Sequence, residues 1–203
     1  MKDLDIYIKL FLSLIIFFTS TSCTQLVVGG SASGGLILVQ ERSAKQAAKD
    51  IIIKTKIEEA FFSNNYDDLF SKIKVIVFEG KVLLVGTVMN VSSKSAAAAI
   101  VKTIDGVKEI ADYVIVGKES VIDYLKDTRI TLEFKAKLLT DKDISEVNYL
   151  STTENRALYI IGVSQNKEEL EKVLFHAGNV PGVKKIINLV IDKKSPSRKS
   201  SNE

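Results

Sequence analysis

From Ser43 to Phe62 the apolar positions Ala44, Ala47/Ala48, Ile51/Ile52, Ile57 and Ala60/Phe61 recur at spacings of three to five. That stripe predicts an amphipathic helix, ended by the turn chemistry of Asn64-Asn65. The period then drops to two. Ile73, Val75 and Val77 alternate with Lys74 and Ile76, Glu79-Gly80 supplies a two-residue turn, and Val82 to Val88 returns as the partner strand of a β-hairpin. Ser92 or Ser93 is placed to cap a helix through Ala96–Ala99 to Ile104. Gly106 stops that helix, because a left-handed residue there carries no Cβ penalty, and residues 110–117 form a third strand.

The same order then repeats. Thr128 to Leu139 has a helical pattern, Glu146–Thr153 and Ala157–Val163 form a hairpin across Glu154-Asn155-Arg156, and Asn166 caps a helix through Glu168–Ala177. Pro181-Gly182 ends that helix and Lys185–Asp192 is the last strand. Gly86 followed by Gly106-Val107-Lys108 recurs as Gly162 followed by Gly182-Val183-Lys184. An internal repeat fixes architecture before any local assignment. The expected fold class is α+β: two tandem small αββαβ domains, each a three-stranded mixed sheet with two helices covering one face. Gly86 and Gly162 fall near strand ends, where a bulge or a close helix approach is the expected reason for glycine. Domains of about 70 residues bury only roughly 60% of their unfolded-chain surface, so the two copies are expected to pack against each other.

Composition narrows the chemistry. The 203 residues carry 28 basic and 25 acidic side chains, a net charge of +3, which is too mild to imply a nucleic-acid partner. There is one His, one Cys and no Trp, so metal sites and most nucleophile chemistry lack their raw materials. No pair of carboxylates reads as an acid–base couple. Gly29-Gly30 and Gly34-Gly35 lack the strand-before, helix-after context of a phosphate loop. His176, late in its helix, reads as structural. The expectation is a protein without catalysis, metal, small-molecule substrate or dissociable cofactor.

Residues 1–22 have the order of a secretory signal: Lys2 and Lys9, the apolar run Leu10 to Phe18, then Thr19-Ser20-Thr21-Ser22. Nine residues rise only about 14 Å as a helix, well short of a roughly 30 Å hydrocarbon layer. Cys23 follows the small residues and resembles the lipidated cysteine of bacterial lipoproteins, with Ser22 and Thr21 suited to the family's pattern and Ser20 standing where Leu, Val or Ile is usual. The resemblance implies a covalent diacylglycerol and an N-acyl chain on Cys23. Thr24, where the enterobacterial sorting pattern would place Asp for retention, points to the outer membrane. Residues 23–41 then read as the lipidated Cys and a glycine-rich tether, or alternatively as a segment lying on the membrane, since Leu26-Val27-Val28 and Leu36-Ile37-Leu38-Val39 are hydrophobic.

The stretch from Ile73 through Gly80-Lys81-Val82-Leu83-Leu84-Val85-Gly86, a helix ending in Gly-Val-Lys and a closing strand resemble the BON domain. So do Asp127-Thr128 before an isoleucine, and Leu138-Leu139-Thr140 followed by Thr152-Thr153-Glu154-Asn155. Two such domains, at 42–118 and 119–192, behind Cys23 are similar to the dual-BON outer-membrane lipoproteins. The family often has Trp where this chain has Arg129, and Gly in the second hairpin turn where it has Arg156. The resemblance implies phospholipid binding at the periplasmic face of the outer membrane, support of envelope integrity and no catalysis.

One segment carries the candidate site. Lys126–Leu139 has a net charge of +2, with Ile130, Phe134 and Leu138 on one stripe and Arg129, Lys135 and Lys137 around it. A cationic helix with an aromatic and leucines suits an anionic lipid surface. On that reading Arg129, Phe134, Lys135, Lys137 and Leu138 bind phospholipid; on the other, the apolar stripe faces the domain's own sheet and the lysines are solvated. The tail at 193–203, with Lys193, Lys194, Arg198 and Lys199 against Glu203, reads as basic and disordered. A membrane of anionic phospholipid is the expected partner; a protein of the envelope, docked by an adaptor, is the alternative.

Overall fold

In the computed structural model, residues 40–118 and 120–199 are described. The expected signal segment at 1–22, Cys23 and the stretch up to residue 39 lie outside them. All three hydrophobic clusters fall inside one compact unit, Leu38–Glu203. No helix of the described residues is long and apolar enough to cross a membrane.

The chain runs α1 (Ala44–Asn64), a π-helical turn at Tyr66–Phe70, β1 (Ile73–Phe78), β2 (Lys81–Val88), α2 (Val91–Lys102) and β3 (Glu109–Val116). It continues with α3 (Val121–Thr140), a 3-10 turn at Glu146–Asn148, β4 (Tyr149–Glu154), β5 (Ala157–Ser164), α4 (Lys167–Gly178), β6 (Lys185–Asp192) and the short α5 (Pro196–Lys199). Each copy is an αββαβ unit. Its central strand pairs antiparallel with the hairpin partner and parallel with the closing strand, so both sheets are mixed.

Several local details differ from the sequence pattern for identifiable reasons. The second copy's first helix begins at Val121, seven residues before Thr128, because Ser120 accepts from the Asp123 amide and caps it. Asn90, not Ser92 or Ser93, caps α2 through the Ser93 amide. Residues 146–148 are a 3-10 turn, and Glu154 remains in β4, leaving Asn155-Arg156 as the hairpin turn.

Gly86 and Gly162 face backbone, not a helix. A Cβ at Gly86 would lie 2.1 Å from the Lys72 carbonyl oxygen, and one at Gly162 2.1 Å from that of Asn148. In each copy the chain entering the hairpin crosses the central strand at that point, so any side chain is excluded.

The layers follow from which face each strand buries. On the outer face of the first sheet, Ile53, Ile57 and Phe61 of α1 pack with Val75, Val82, Leu84 and Val101. In the second copy Ile130, Phe134 and Leu138 of α3 pack with Leu158, Ile160 and Val173. The inner faces meet each other: Phe78, Leu83 and Val85 of one sheet join Tyr159, Ile161 and Val163 of the other. The result is helices, sheet, sheet, helices in four layers, with the repeat burying its second apolar face against its own copy.

The tail is not wholly disordered, contrary to the sequence expectation. Residues 193–199 are described, and Arg198 is buried, donating to both Glu79 carboxylate oxygens and to the Glu41 carbonyl. Lys193 pairs with Glu41 at 2.8 Å. Opposite charge at the first copy's turn and at residue 41 draws in what composition alone marks as solvated.

Candidate functional site

Phe134 and Leu138 are not at a surface. They are 0% and 1% exposed in the second core, so the expectation that they touch lipid is corrected. Together with Ile130, at four-residue spacing, they face the sheet and pack with Leu158 and Ile160 of β5. Arg129 is exposed, and Lys135 and Lys137 are partly exposed, on other sides of the same helix.

The structure reveals a second apolar stripe opposite the first. Val121, Ile122, Leu125, Leu132 and Leu139 are each 59–75% exposed. Ile122, Leu125, Arg129, Leu132, Ala136 and Leu139 follow alternating steps of three and four, the spacing that keeps side chains on one helical face. α3 is therefore apolar both inward and outward, with Asp127, Ile130, Phe134 and Leu138 buried. The stripe is legible in the sequence as that three–four spacing, but its first turn lies before Thr128, outside the segment whose pattern predicts a helix.

Cations border the outer stripe. Arg129 sits within it, Lys135 lies to one side and Lys126 and Lys137 to the other, placed by the 100° step per residue. Lys126 pairs with Asp123 at 3.4 Å, and hydrogen bonds from Ser120 and then Lys126 hold the Asp123 carboxyl below its usual range. Among the described residues Arg129, Lys135 and Lys137 have no ion pair with an acidic side chain. Lys135 also lines a hollow of about 420 Å³ between the copies, with Arg42, Ile51, Ile76 and Leu150. This arrangement places an apolar ridge about 25 Å long among donors suited to phosphate oxygens.

The remaining polar clusters are structural. Asp50 accepts from the Glu79 and Gly80 amides at 2.8 and 2.9 Å, and from Arg42 and Gln46, which fixes the first hairpin turn. Asp127 does the same for Arg156 at 2.9 Å. His176 meets Asp141 at 2.7 Å, and that hydrogen bond, the largest cause, lowers the Asp141 pKa. Tyr149, which burial pushes far above the usual phenol range, lies in the second core. Among the described residues no group of three or more His, Cys, Asp or Glu is arranged to hold a metal ion.

Comparison with known proteins gives the kinship. A protein of Anaplasma centrale, the uncharacterized protein in the gshII 5′ region, is 32% identical over 152 residues, covering 74% of this chain and 99% of that one. The outer membrane lipoprotein DolP of Haemophilus influenzae is 26% identical over 169 residues, 82% of this chain and 86% of its own. A 21 kDa hemolysin of Actinobacillus pleuropneumoniae is 28% identical over 154 residues, 75% of this chain and 72% of its own. The BON domain matches residues 49–118 and 126–191, one match on each copy of the repeat. With two thirds of its length in those matches, the chain belongs to the BON-domain family.

Proposed function

We propose that this chain is a lipid-anchored protein of the outer membrane whose second BON domain contacts anionic phospholipid through the outer face of α3, and that it supports envelope integrity. The observation that carries the reading is the exposed ridge Ile122, Leu125, Leu132 and Leu139, with Arg129 within it and lysines beside it. Fully burying one Leu contributes roughly 1.5–3 kcal/mol, so partial insertion of several leucines provides a driving force without any pocket. Lysine stems lie along apolar surface while their ammonium groups reach headgroups. The name of the Haemophilus relative, an outer membrane lipoprotein, supports the location, as does the cysteine that follows the apolar leader. The 17 chain steps from Cys23 to Gln40 reach at most about 60 Å, which keeps both domains close to the bilayer. Arg129 within the ridge trades insertion for charge, so binding should be salt-dependent.

The three–four spacing of the ridge equally suits a partner helix, and this favours the adaptor as the second reading. Cosedimentation of Leu38–Glu203 with phosphatidylglycerol-rich or neutral vesicles, at low and high salt, separates the two. Binding to anionic vesicles alone, weakened about tenfold or more by Leu125→Ser/Leu132→Ser and by Arg129→Ala/Lys135→Ala/Lys137→Ala, supports lipid recognition. No binding by the intact unit overturns it and leaves α3 to a protein partner.

A further inference from the structure

The first copy carries a feature that the second lacks. Phe62, at the end of α1, and Tyr66 and Phe70, in the π-helical turn, are 57%, 52% and 40% exposed and pack on one another with ring centroids 5.4–5.5 Å apart. The second copy has only a 3-10 turn at the corresponding place. The turn is pinned from beneath. Asn65 caps it through the Asp68 amide at 3.0 Å, the Asp68 carboxylate accepts from the Met89 amide at 2.8 Å, and Leu69 is 1% exposed in the first core. The rings are thus held outward by a built support, so little ordering entropy is lost when they are covered.

We propose that Phe62, Tyr66 and Phe70 form a second membrane-contact surface that inserts into the headgroup–acyl boundary of the same phospholipid layer. This rests on the reading of α3 given above. Two observations select that occupant. The cluster is continuous with the α3 ridge: Phe70 shares a hollow with Val121 and Tyr124 from the first turn of α3, and Lys72 and Lys74 line it too. Its chemistry suits that boundary: the two phenyl rings of Phe62 and Phe70 are wholly apolar and favour the acyl side, while the Tyr66 phenol joins an apolar ring to a polar tip that settles at membrane interfaces. Glu58 and Glu59 border Phe62, with Glu58 paired to Lys54. The cluster therefore contributes insertion and not headgroup attraction, so its share of binding is salt-insensitive, unlike that of α3.

The chain has no Trp, so single-tryptophan reporters test this directly. Phe62→Trp and Leu132→Trp are each made in Leu38–Glu203, and emission is followed on phosphatidylglycerol-rich vesicles with and without brominated acyl chains. Both reporters should shift to the blue and be quenched by bromine. Phe62→Ser/Tyr66→Ser/Phe70→Ser should weaken partitioning about tenfold with the salt slope unchanged, its fold checked by circular dichroism. Quenching at Leu132→Trp with none at Phe62→Trp overturns the inference and leaves the α3 reading standing. Quenching at Phe62→Trp alone supports the cluster and overturns the α3 reading. Silence at both positions overturns both, leaving these faces to a protein partner.

Discussion

Glu154, the last residue of β4, is buried against the first copy, where its carboxylate pairs with Lys74 Nζ at 3.0 Å and accepts from Thr87 Oγ1 at 2.5 Å. A strand end of one domain is thereby neutralised by the sheet of the other. Lys74 also donates to the Thr153 carbonyl at 2.9 Å, and Asn155 Nδ2 to Thr87 Oγ1 at 3.2 Å. These groups form a polar edge beside the apolar inter-sheet core. Lys74→Met leaves the carboxylate without its counter-charge. Since Lys74 is about one third exposed, the cost should be about 1–3 kcal/mol, below the full value for a buried pair. Urea denaturation would read this as a lower midpoint; an unchanged midpoint contradicts the assignment. Lys74→Met/Glu154→Leu should recover part of the loss, because no unpaired charge remains.

Arg198 should behave as a clasp. Its guanidinium and the Glu79 carboxylate are each 9% exposed and meet through Nε and Nη2, the fork geometry that gives charge-assisted bonds their strength. Arg198→Ala is expected to destabilise by about 2–4 kcal/mol, and termination after Ser195 by a similar amount. Thermal unfolding that is the same for all three chains contradicts an ordered tail.

Two substitutions in the second hairpin should move stability in opposite directions. Asn155 and Arg156 both have positive φ, 49° and 62°, the conformation of a two-residue turn in which the second position favours glycine. Arg156→Gly relieves left-handed strain of roughly 1–2 kcal/mol, partly offset by unfolded-chain entropy, so a rise of about 0.5–1 kcal/mol is expected. Gly162→Ala places a methyl 2.1 Å from the Asn148 carbonyl oxygen. Backbone must move, and a loss of several kcal/mol or failure to fold is expected. Melting temperatures of the two variants check both signs.

The acid limb of stability should include Asp141. Its folded pKa is lowered, chiefly by the hydrogen bond from His176 and next by the Asp143 amide. A depressed carboxyl stabilises the fold above its unfolded value, about 3.9, and that contribution disappears as pH falls through the folded value. Asp141→Asn should therefore flatten the stability profile in that acid window. Lys172, raised by its bond with Asp143, has the opposite sign: its contribution is complete below the ordinary lysine range, about 10.4, and is lost as pH rises above it. Titrating the urea midpoints of Asp141→Asn and Lys172→Met against the parent chain, from acid to alkaline pH, tests both directions.

The repeat, the mixed sheets and most of the core are legible in the residue pattern alone. Alternation in Ile73–Val77 and the four-residue spacing of Ile130, Phe134 and Leu138 are set by backbone geometry within one element, so they are readable locally. Packing between elements settles which stripe of α3 faces water. Both of its stripes are apolar, and the choice belongs to the strands beneath, which cover Phe134 and leave Leu132 outside. Packing likewise settles that Glu154 is buried and that Arg198 is docked. Partners 80 and 119 residues away, Lys74 and Glu79, supply the opposite charges, and no periodicity within a segment encodes a contact made across that distance.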